Sequence, residues 1–537
     1  MTALSELLPS GGGQGEVDFV ASGNISNGGP VVLNSDGTVS PVAQTAQNIP
    51  LGSEATFNTA AIDSCVVRFM PTDPNKLVVC YRLQSNNYGY VVVGSISGTT
   101  ISFGTPVAFK SSALYSAGAM EMDTGPSVSN RFLVSYAYNP GGGYNVGQAV
   151  TGIVSGTSIT IGAASGAYSP VHPSPWNTGD PKYIALAIDP NSVGNTKFIV
   201  AFQLFNPSKK IYCRPGYIQS DGTISFGVLA EPRASGSIGY ATNQKWPTVT
   251  FDSKSSGNGI VSWTGEGGAY SYRQAWARPF KWATTLVFGQ AIEYTTYGTY
   301  NTTYSPDIKA NPFVAGQYVA AYGMEYSNFV GGANTLTVNN PGSTSSTITV
   351  GPQNNFEPSS YGTYPPNGGG SLERTISLAF SRTQPNTFVV AWSKSSATVA
   401  LRVGSIDPTS SVLAYTTLDT SDTGSNEWVS VDMPITGDIS VVCYRDDTNS
   451  QIGKARLGQI LVNNVFDVIG IAGSAISSGA SGAVNVFGGV NTEQSSLTIG
   501  TEYYVQPNGT ISTATASPAQ RLGRAVKATT INLRDLT

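Results

Sequence analysis

The sequence predicts an all-β protein: a seven-bladed β-propeller inserted in a small β-domain built from both termini. The first observation behind this is an apolar run closed by an aromatic that occurs seven times: LVVCY (77–81), FLVSY (132–136), FIVAF (198–202), GIVSW (259–263), YVAAY (318–322), FVVAW (388–392) and SVVCY (440–444). The second is that each run sits among short strand-like stretches bounded by Gly, Pro, Asp and Asn, residues that supply preset or positive backbone angles. The third is one hairpin device found near both chain ends, Asp36-Gly37-Thr38 and Asn508-Gly509-Thr510, each following an apolar stretch.

The first repeat shows the unit. Residues 61–69 alternate loosely, a turn with Pro71, Asp73 and Pro74 follows, then LVVCY, then YGYVVVGSIS (88–97), and after Gly98 comes TTISFG ending at Gly104. The fourth stretch recurs as ITIG (159–162), ISFG (224–227), LVFG (286–289) and ITVG (348–351). The first recurs as YIALAIDP (183–190), WPTVTFD (246–252), PDIKANP (306–312), TISLAFS (375–381) and WVSVDMP (428–434). Four strands repeated seven times read as propeller blades. The closing aromatics lie 52 to 70 residues apart, beyond the ~40–50 residues of common blades, so the excess is expected in loops. Tandem β-sandwiches would need about seven strands each, and a four-strand unit has two open edges and too little core to stand alone.

Composition narrows the function classes. Charged residues are only 11% of the 537, against 61 Gly and 27 Tyr, which suits turn-rich β-structure with a hydroxyl-lined surface. The net charge of −4 and the absence of Lys/Arg clusters remove the footprint of a nucleic-acid binder. There is no apolar stretch of about 18 residues for a membrane span. The N-terminus MTALSELLPSGGGQGE lacks a basic segment followed by an apolar core, so the expectation is synthesis in a host cytoplasm without ordinary secretion. Cys65, Cys80, Cys213 and Cys443 lack metal-ligand spacing. Cys80 and Cys443 share one repeat position in the first and seventh units, neighbours once a ring closes, and are read as buried free thiols.

In chain order, residues 1–16 form a glycine-rich flexible arm. Residues 17–50 supply the N-terminal part of the small β-domain, residues 55–463 the propeller, and residues 464–537 the C-terminal part of the β-domain, because neither end holds enough strands for a core alone. Tyr503 to Val505 match Val31 to Leu33 ahead of the shared hairpin device. Four insertions, at 165–180, 292–305, 323–332 and 356–370, collect on one propeller face and are rich in Tyr, Gly, Pro, Ser and Asn. Trp176, Tyr297, Tyr300, Tyr304, Tyr361 and Tyr364 are the candidate contact residues there, their rings stacking on sugars.

The residues do not point to catalysis. The one histidine, His172, lies between prolines, and there is no G-x-S-x-G elbow. Asp446 and Asp447, after Arg445, and Glu266 each follow a repeat strand. Ser35–Thr38 and Ser220–Thr223 are fragments of a sialidase-type turn that also read as hairpins. All these carboxylates are expected to form turns. No cofactor or metal is expected, and the sequons at Asn24, Asn301 and Asn508 receive no role.

Near the C-terminus IGIA (469–472), SGAVNVFGGV (481–490), LTIGTEYYVQPNGT (497–510) and RLGRAV (521–526), with SNGGPVVLNSDGTVSPVA (26–43), resemble the small β-domains of virion structural proteins of tailed phages and aquatic large DNA viruses. The resemblance spans both ends and not the propeller. It implies a virion component such as a tail fibre or appendage, with other virion proteins as partners, and transfers no catalytic residue. The expectation is therefore a non-enzymatic, homo-oligomeric virion appendage whose propeller face binds a host-surface glycan. The rivals are a capsid decoration or connector protein and a polysaccharide-degrading spike.

Overall fold

A computed structural model describes residues 15–34, 36–42, 51–115, 120–125, 130–141, 145–169, 181–204, 209–232, 242–267, 272–295, 302–325, 329–357, 375–394, 398–407, 410–415, 419–420, 426–437, 439–459, 468–506, 509–513 and 520–533. All regular structure among them is antiparallel β. The chain divides into two compact units, Met1–Gln47 with Leu461–Thr537, and Asn48–Ile460.

Among the described residues, Asn48–Ile460 hold seven sheets of four or five strands. The first has Ile62–Met70, Asp73–Leu83, Gly89–Ser97 and Thr100–Phe103 in that spatial order. Every apolar run of the repeat lies in the second strand of its sheet: 77–81 in Asp73–Leu83, 132–136 in Arg131–Tyr138, 440–444 in Ile439–Asp446. Such a strand is apolar on both faces because a neighbouring sheet covers each face. Buried clusters join each sheet to the next: Val78 and Phe132 between the first two, Leu186 and Tyr168 between second and third, and onward to Val429 and Val389 between sixth and seventh. A last cluster sets Val441 and Trp428 of the seventh sheet against Val67 and Leu77 of the first. The sheets thus close a ring, which is a β-propeller.

Closure also uses a strand that the repeats do not announce. Ala55–Asn58, ahead of the first repeat, is the outer strand of the seventh sheet, pairing with Ile452–Gln459. The Glu54 carboxylate accepts from the Tyr444 hydroxyl at 2.7 Å and meets Lys454 Nζ at 3.0 Å.

The excess repeat length is not all loop. At Gly104, Gly289 and Gly351 the outer strand breaks, the glycine N–H donating back to Val93, Pro279 and Thr335 of the third strand. The chain then pairs with the third strand again through Val107–Lys110, Ile292–Glu293 and Asn354–Glu357. A Cβ on Gly351 would collide with Thr335 Oγ1, so the recurring terminal glycine serves close approach. Nor is 323–332 an insertion: residues 323–325 and 329–332 belong to the paired strands Gln317–Glu325 and Phe329–Asn339. Gly331 there seats the ring of Phe356 rather than opening a turn.

The second half of the outer strand carries the ring that joins blades. Phe57, Phe109, Tyr168 and Phe356 lie over Gly453, Gly89, Gly147 and Gly331 of their own third strands, where any Cβ would strike the ring. Each then meets the aromatic that closes the apolar run of the next blade: Tyr81 at 5.5 Å between centroids, Tyr136 at 5.4 Å, Phe202 at 5.1 Å and Trp392 at 5.0 Å. Tyr294 meets Tyr322 in the same way at 5.7 Å.

The unit of Met1–Gln47 and Leu461–Thr537 consists, among the described residues, of two five-stranded sheets. One runs Glu16–Val20, Ser481–Val486, Val468–Ala472, Pro30–Leu33, Val39–Pro41; the other runs Val490–Asn491, Thr530–Leu533, Gln520–Lys527, Glu502–Val505, Ile511–Ser512. Read in chain order, the two have one connectivity. The matches extend to detail: Val31 pairs with Gly470 as Tyr503 pairs with Gly523, and the next position of each pair carries a register shift. The hairpins close identically, Asn34 N to Thr38 O and Gln506 N to Thr510 O, both at 2.8 Å. Val32, Val468 and Ile471 of the first sheet share a core with Tyr503, Val505, Leu522 and Leu533 of the second. The sequence duplication seen at the hairpins is therefore a duplicated five-strand sheet. Residues 513–519 join third to fourth strand in the second copy, and the whole propeller occupies that connection in the first.

Replacing residues 48–460 by the segment 513–519 should leave a folded β-domain, seen as dispersed amide resonances and a cooperative melt. Gly453→Ala should destabilise the propeller by about 1–3 kcal/mol through overpacking against Phe57, measured by urea unfolding of the full chain.

Candidate functional site

Propellers offer two places for function, the axial channel and the faces. The first strands of all seven blades line a channel cavity of about 420 Å³, whose charged walls are Arg68, Asp123, Lys309, Arg382 and Asp432. Arg68 is buried and donates to Glu121 Oε1 at 2.9 Å, with Asp123 Oδ1 3.6 Å from its Nε. Burial opposes its charge, yet the carboxylates of Glu121, Asp432 and Asp123 outweigh it and hold the guanidinium more firmly protonated than usual. The Asp123 carboxyl is raised by burial against the opposing pull of Arg68.

These carboxylates have structural work. Asp432 accepts the Phe69 N–H at 2.7 Å, Asp123 accepts Ile188 N–H at 2.7 Å and Asp307 accepts Leu378 N–H at 2.9 Å, each from the next blade. Ser430 accepts the Val67 N–H at the same junction as Asp432, and Ser377 accepts the Val431 N–H between the sixth and seventh blades. A carboxylate that holds a backbone N–H of the adjoining blade stitches the ring.

At the opposite ends of the first strands lies a row of rings. Tyr183, Trp246 and Tyr304 come from three consecutive blades, with centroids 5.7 Å apart for the first pair and 5.6 Å for the second. Tyr183 and Trp246 sit at φ 49° and 47°, and Ser305, beside Tyr304, at 41°. All three positions fall in β-bulges, between Lys182 and Ala185, Lys245 and Thr248, and Tyr304 and Asp307. A left-handed backbone at aromatic residues is strained and persists only where surroundings over-determine it; such strain clusters at functional sites. Tyr183 is buried, whereas Trp246 and Tyr304 are half-buried, and Lys245 Nζ lies 5.7 Å from the Trp246 ring centre. The three strands begin where the connections 170–180, 233–241 and 296–301 re-enter the sheets.

Of the six candidate contact residues only Tyr304 falls within this row. Trp176, Tyr297, Tyr300, Tyr361 and Tyr364 lie outside the described residues, as does His172. Tyr183 and Trp246 are not among the candidates taken from the sequence, although the aromatics opening YIALAIDP and WPTVTFD are a visible signal; Trp428, opening WVSVDMP in a bulge of the same kind, packs in the core between the first and seventh blades instead. Tyr168, in the insertion 165–180, is a buried junction ring. Asp36, Asp221 and Asp446 form turns, accepting from Thr38, Thr223 and Thr448 N–H at 3.0, 2.9 and 3.1 Å. Asp447 pairs with Arg445 at 2.6 Å. Glu266 pairs through its backbone with Thr242.

No family model matches the chain, and no curated protein does. Solved structures similar to it include a Penicillium chrysogenum alpha-L-arabinanase complexed with arabinobiose (10% identity, 81% of this chain and 98% of that one, TM-score 0.38). Saccharomyces cerevisiae Sqt1 (8%, 76% and 99%, TM-score 0.40) and AofleA from Arthrobotrys oligospora (9%, 87% and 97%, TM-score 0.36) are also similar.

Arg68→Ala should destabilise the protein by about 3–5 kcal/mol, because it removes the buried cation that the Glu121, Asp123 and Asp432 carboxylates face; chemical denaturation measures it. Glu293, in the outer strand of the fourth blade, titrates at about 7 because burial raises its carboxyl from 4.5. The folded chain thus binds that proton more tightly than the unfolded chain, and stability is lost as pH rises from 4.5 to 7. Glu293→Gln should abolish this group's share of the loss, seen as a gain over wild type that grows across that window in denaturation midpoints.

Proposed function

We propose that the protein is a non-enzymatic virion appendage, a tail fibre or similar surface component, that binds host-surface glycan through the propeller face bearing Tyr183, Trp246 and Tyr304. The observation that carries the reading is this row of rings, in strained bulges at the re-entry points of three connections. Rigid aromatic faces give large contact area at little entropic cost and stack on the apolar face of a pyranose, while neighbouring lysine and hydroxyl groups bond its oxygens. Asp123 and Asp432 hold backbone N–H groups of adjoining blades and Arg68 pairs with Glu121 of the next blade, which favours binding over chemistry. The duplicated β-domain, whose ends resemble virion proteins, is the part suited to attach to other virion proteins, and copies assembled as a homo-oligomer would multiply weak single sites.

The test is binding of the full chain to arrayed host envelope polysaccharides, with immunogold labelling of intact particles. Trp246→Ala should weaken glycan binding by roughly 30-fold, the ~2 kcal/mol of an interface hot spot, with the melting curve retained. Particle labelling without glycan binding would instead favour a capsid decoration or connector protein, and release of reducing sugar would favour a degrading spike. Absence from particles would overturn the virion reading.

A further inference from the structure

The junction between the first and seventh blades differs chemically from the other six. Cys65, in the first strand of the first blade, and Cys443, in the second strand of the seventh, place their sulfurs 3.3 Å apart. Both are free thiols, buried with Phe57, Tyr81, Trp428 and Val441. Cys80 and Cys443 hold the same repeat position in adjacent blades, but neighbouring blades pack second strand against first. Cys80 therefore faces Met120 of the second blade, Sγ to Sδ 3.6 Å, and Cys65 takes its place beside Cys443. Cys213 lies in the junction between third and fourth blades.

From this geometry we infer that Cys65 and Cys443 form a site of oxidative cross-linking, a disulfide that locks the propeller ring shut. A disulfide sulfur separation is ~2.05 Å, so the two sulfurs need to approach by about 1 Å. The Cys65 thiol lies 3.1 Å from the Trp428 carbonyl oxygen and would give up that contact on turning to its partner. The oxidant is a peroxide or a small-molecule disulfide. With hydrogen peroxide, one thiolate attacks oxygen to give a sulfenic acid and release hydroxide; the other attacks the sulfenic sulfur, forming the S–S bond and releasing a second hydroxide. The two thiol protons convert these to water, so two thiols and one peroxide yield one disulfide and two waters.

The location gives the bond its consequence. Blades adjacent in sequence are tied by their own connections, whereas this junction joins residues 378 apart. It is otherwise held by packing, by the Phe69 and Val67 N–H groups donating to Asp432 and Ser430, and by the four-residue strand Ala55–Asn58. A cross-link there constrains the unfolded chain across nearly the whole propeller. Burial of both thiols means that oxidation follows momentary opening of this junction, so low denaturant should accelerate it.

The full-length protein, treated with hydrogen peroxide or oxidised glutathione and then alkylated in denaturant, should give a linked Cys65–Cys443 peptide on non-reducing mapping, with Cys80 and Cys213 alkylated. The oxidised protein should melt several degrees higher than the reduced one and return on treatment with dithiothreitol. Cys65→Ser and, independently, Cys443→Ala should show neither linked peptide nor shift. Recovery of both residues as free thiols or as sulfinic acids after exhaustive oxidation in low denaturant, or linkage to another cysteine, would overturn the inference. Mapping on the wild-type chain decides the matter even if a variant fails to fold.

Discussion

A ring of sheets holds only if every sheet finds its neighbour at a fixed angle. Here that angle is set at five junctions by one aromatic ring from an outer strand, resting on the aromatic that closes the next blade's second strand. Full burial of such a side chain is worth about 1.5–3 kcal/mol, and the ring pair adds about 0.5–1.5 kcal/mol. The ring reaches its partner because the third strand beneath it carries glycine in four of these blades. The break in the outer strand at a terminal glycine, the resumed pairing beyond it and the long repeat period all serve to deliver that ring.

The polar interior obeys the same constraint. A channel built from seven first strands leaves backbone N–H groups facing the adjoining blade, and buried donors need acceptors. Asp123, Asp307 and Asp432 supply them, and Arg68 offsets the charge that results. Carboxylates near the axis thereby serve as joints between blades.

The end unit shows how such a ring can be carried. One five-strand sheet occurs twice, once with a short link between third and fourth strands and once with a complete propeller in the same link. Because Pro30–Leu33 pairs with both the third strand, Val39–Pro41, and the fourth, Val468–Ala472, the insertion leaves the sheet's hydrogen bonding intact.

The sequence by itself determined the all-β class, the repeated second strand and its closing aromatic, the recurring first and fourth strands, and the hairpin shared by the two ends. These are properties of alternation, turn residues and local spacing, which the chain states within a few residues of itself. What the tertiary structure decided was every relation across blades. Ala55–Asn58 completes the last sheet, glycine in the third strand seats a ring, Cys65 rather than Cys80 meets Cys443, and Tyr183, Trp246 and Tyr304 form a row. Such relations depend on which strand of one sheet packs against which of the next, and on bulges that turn a side chain by one register step. No local pattern encodes that choice, because it is fixed only when the ring closes.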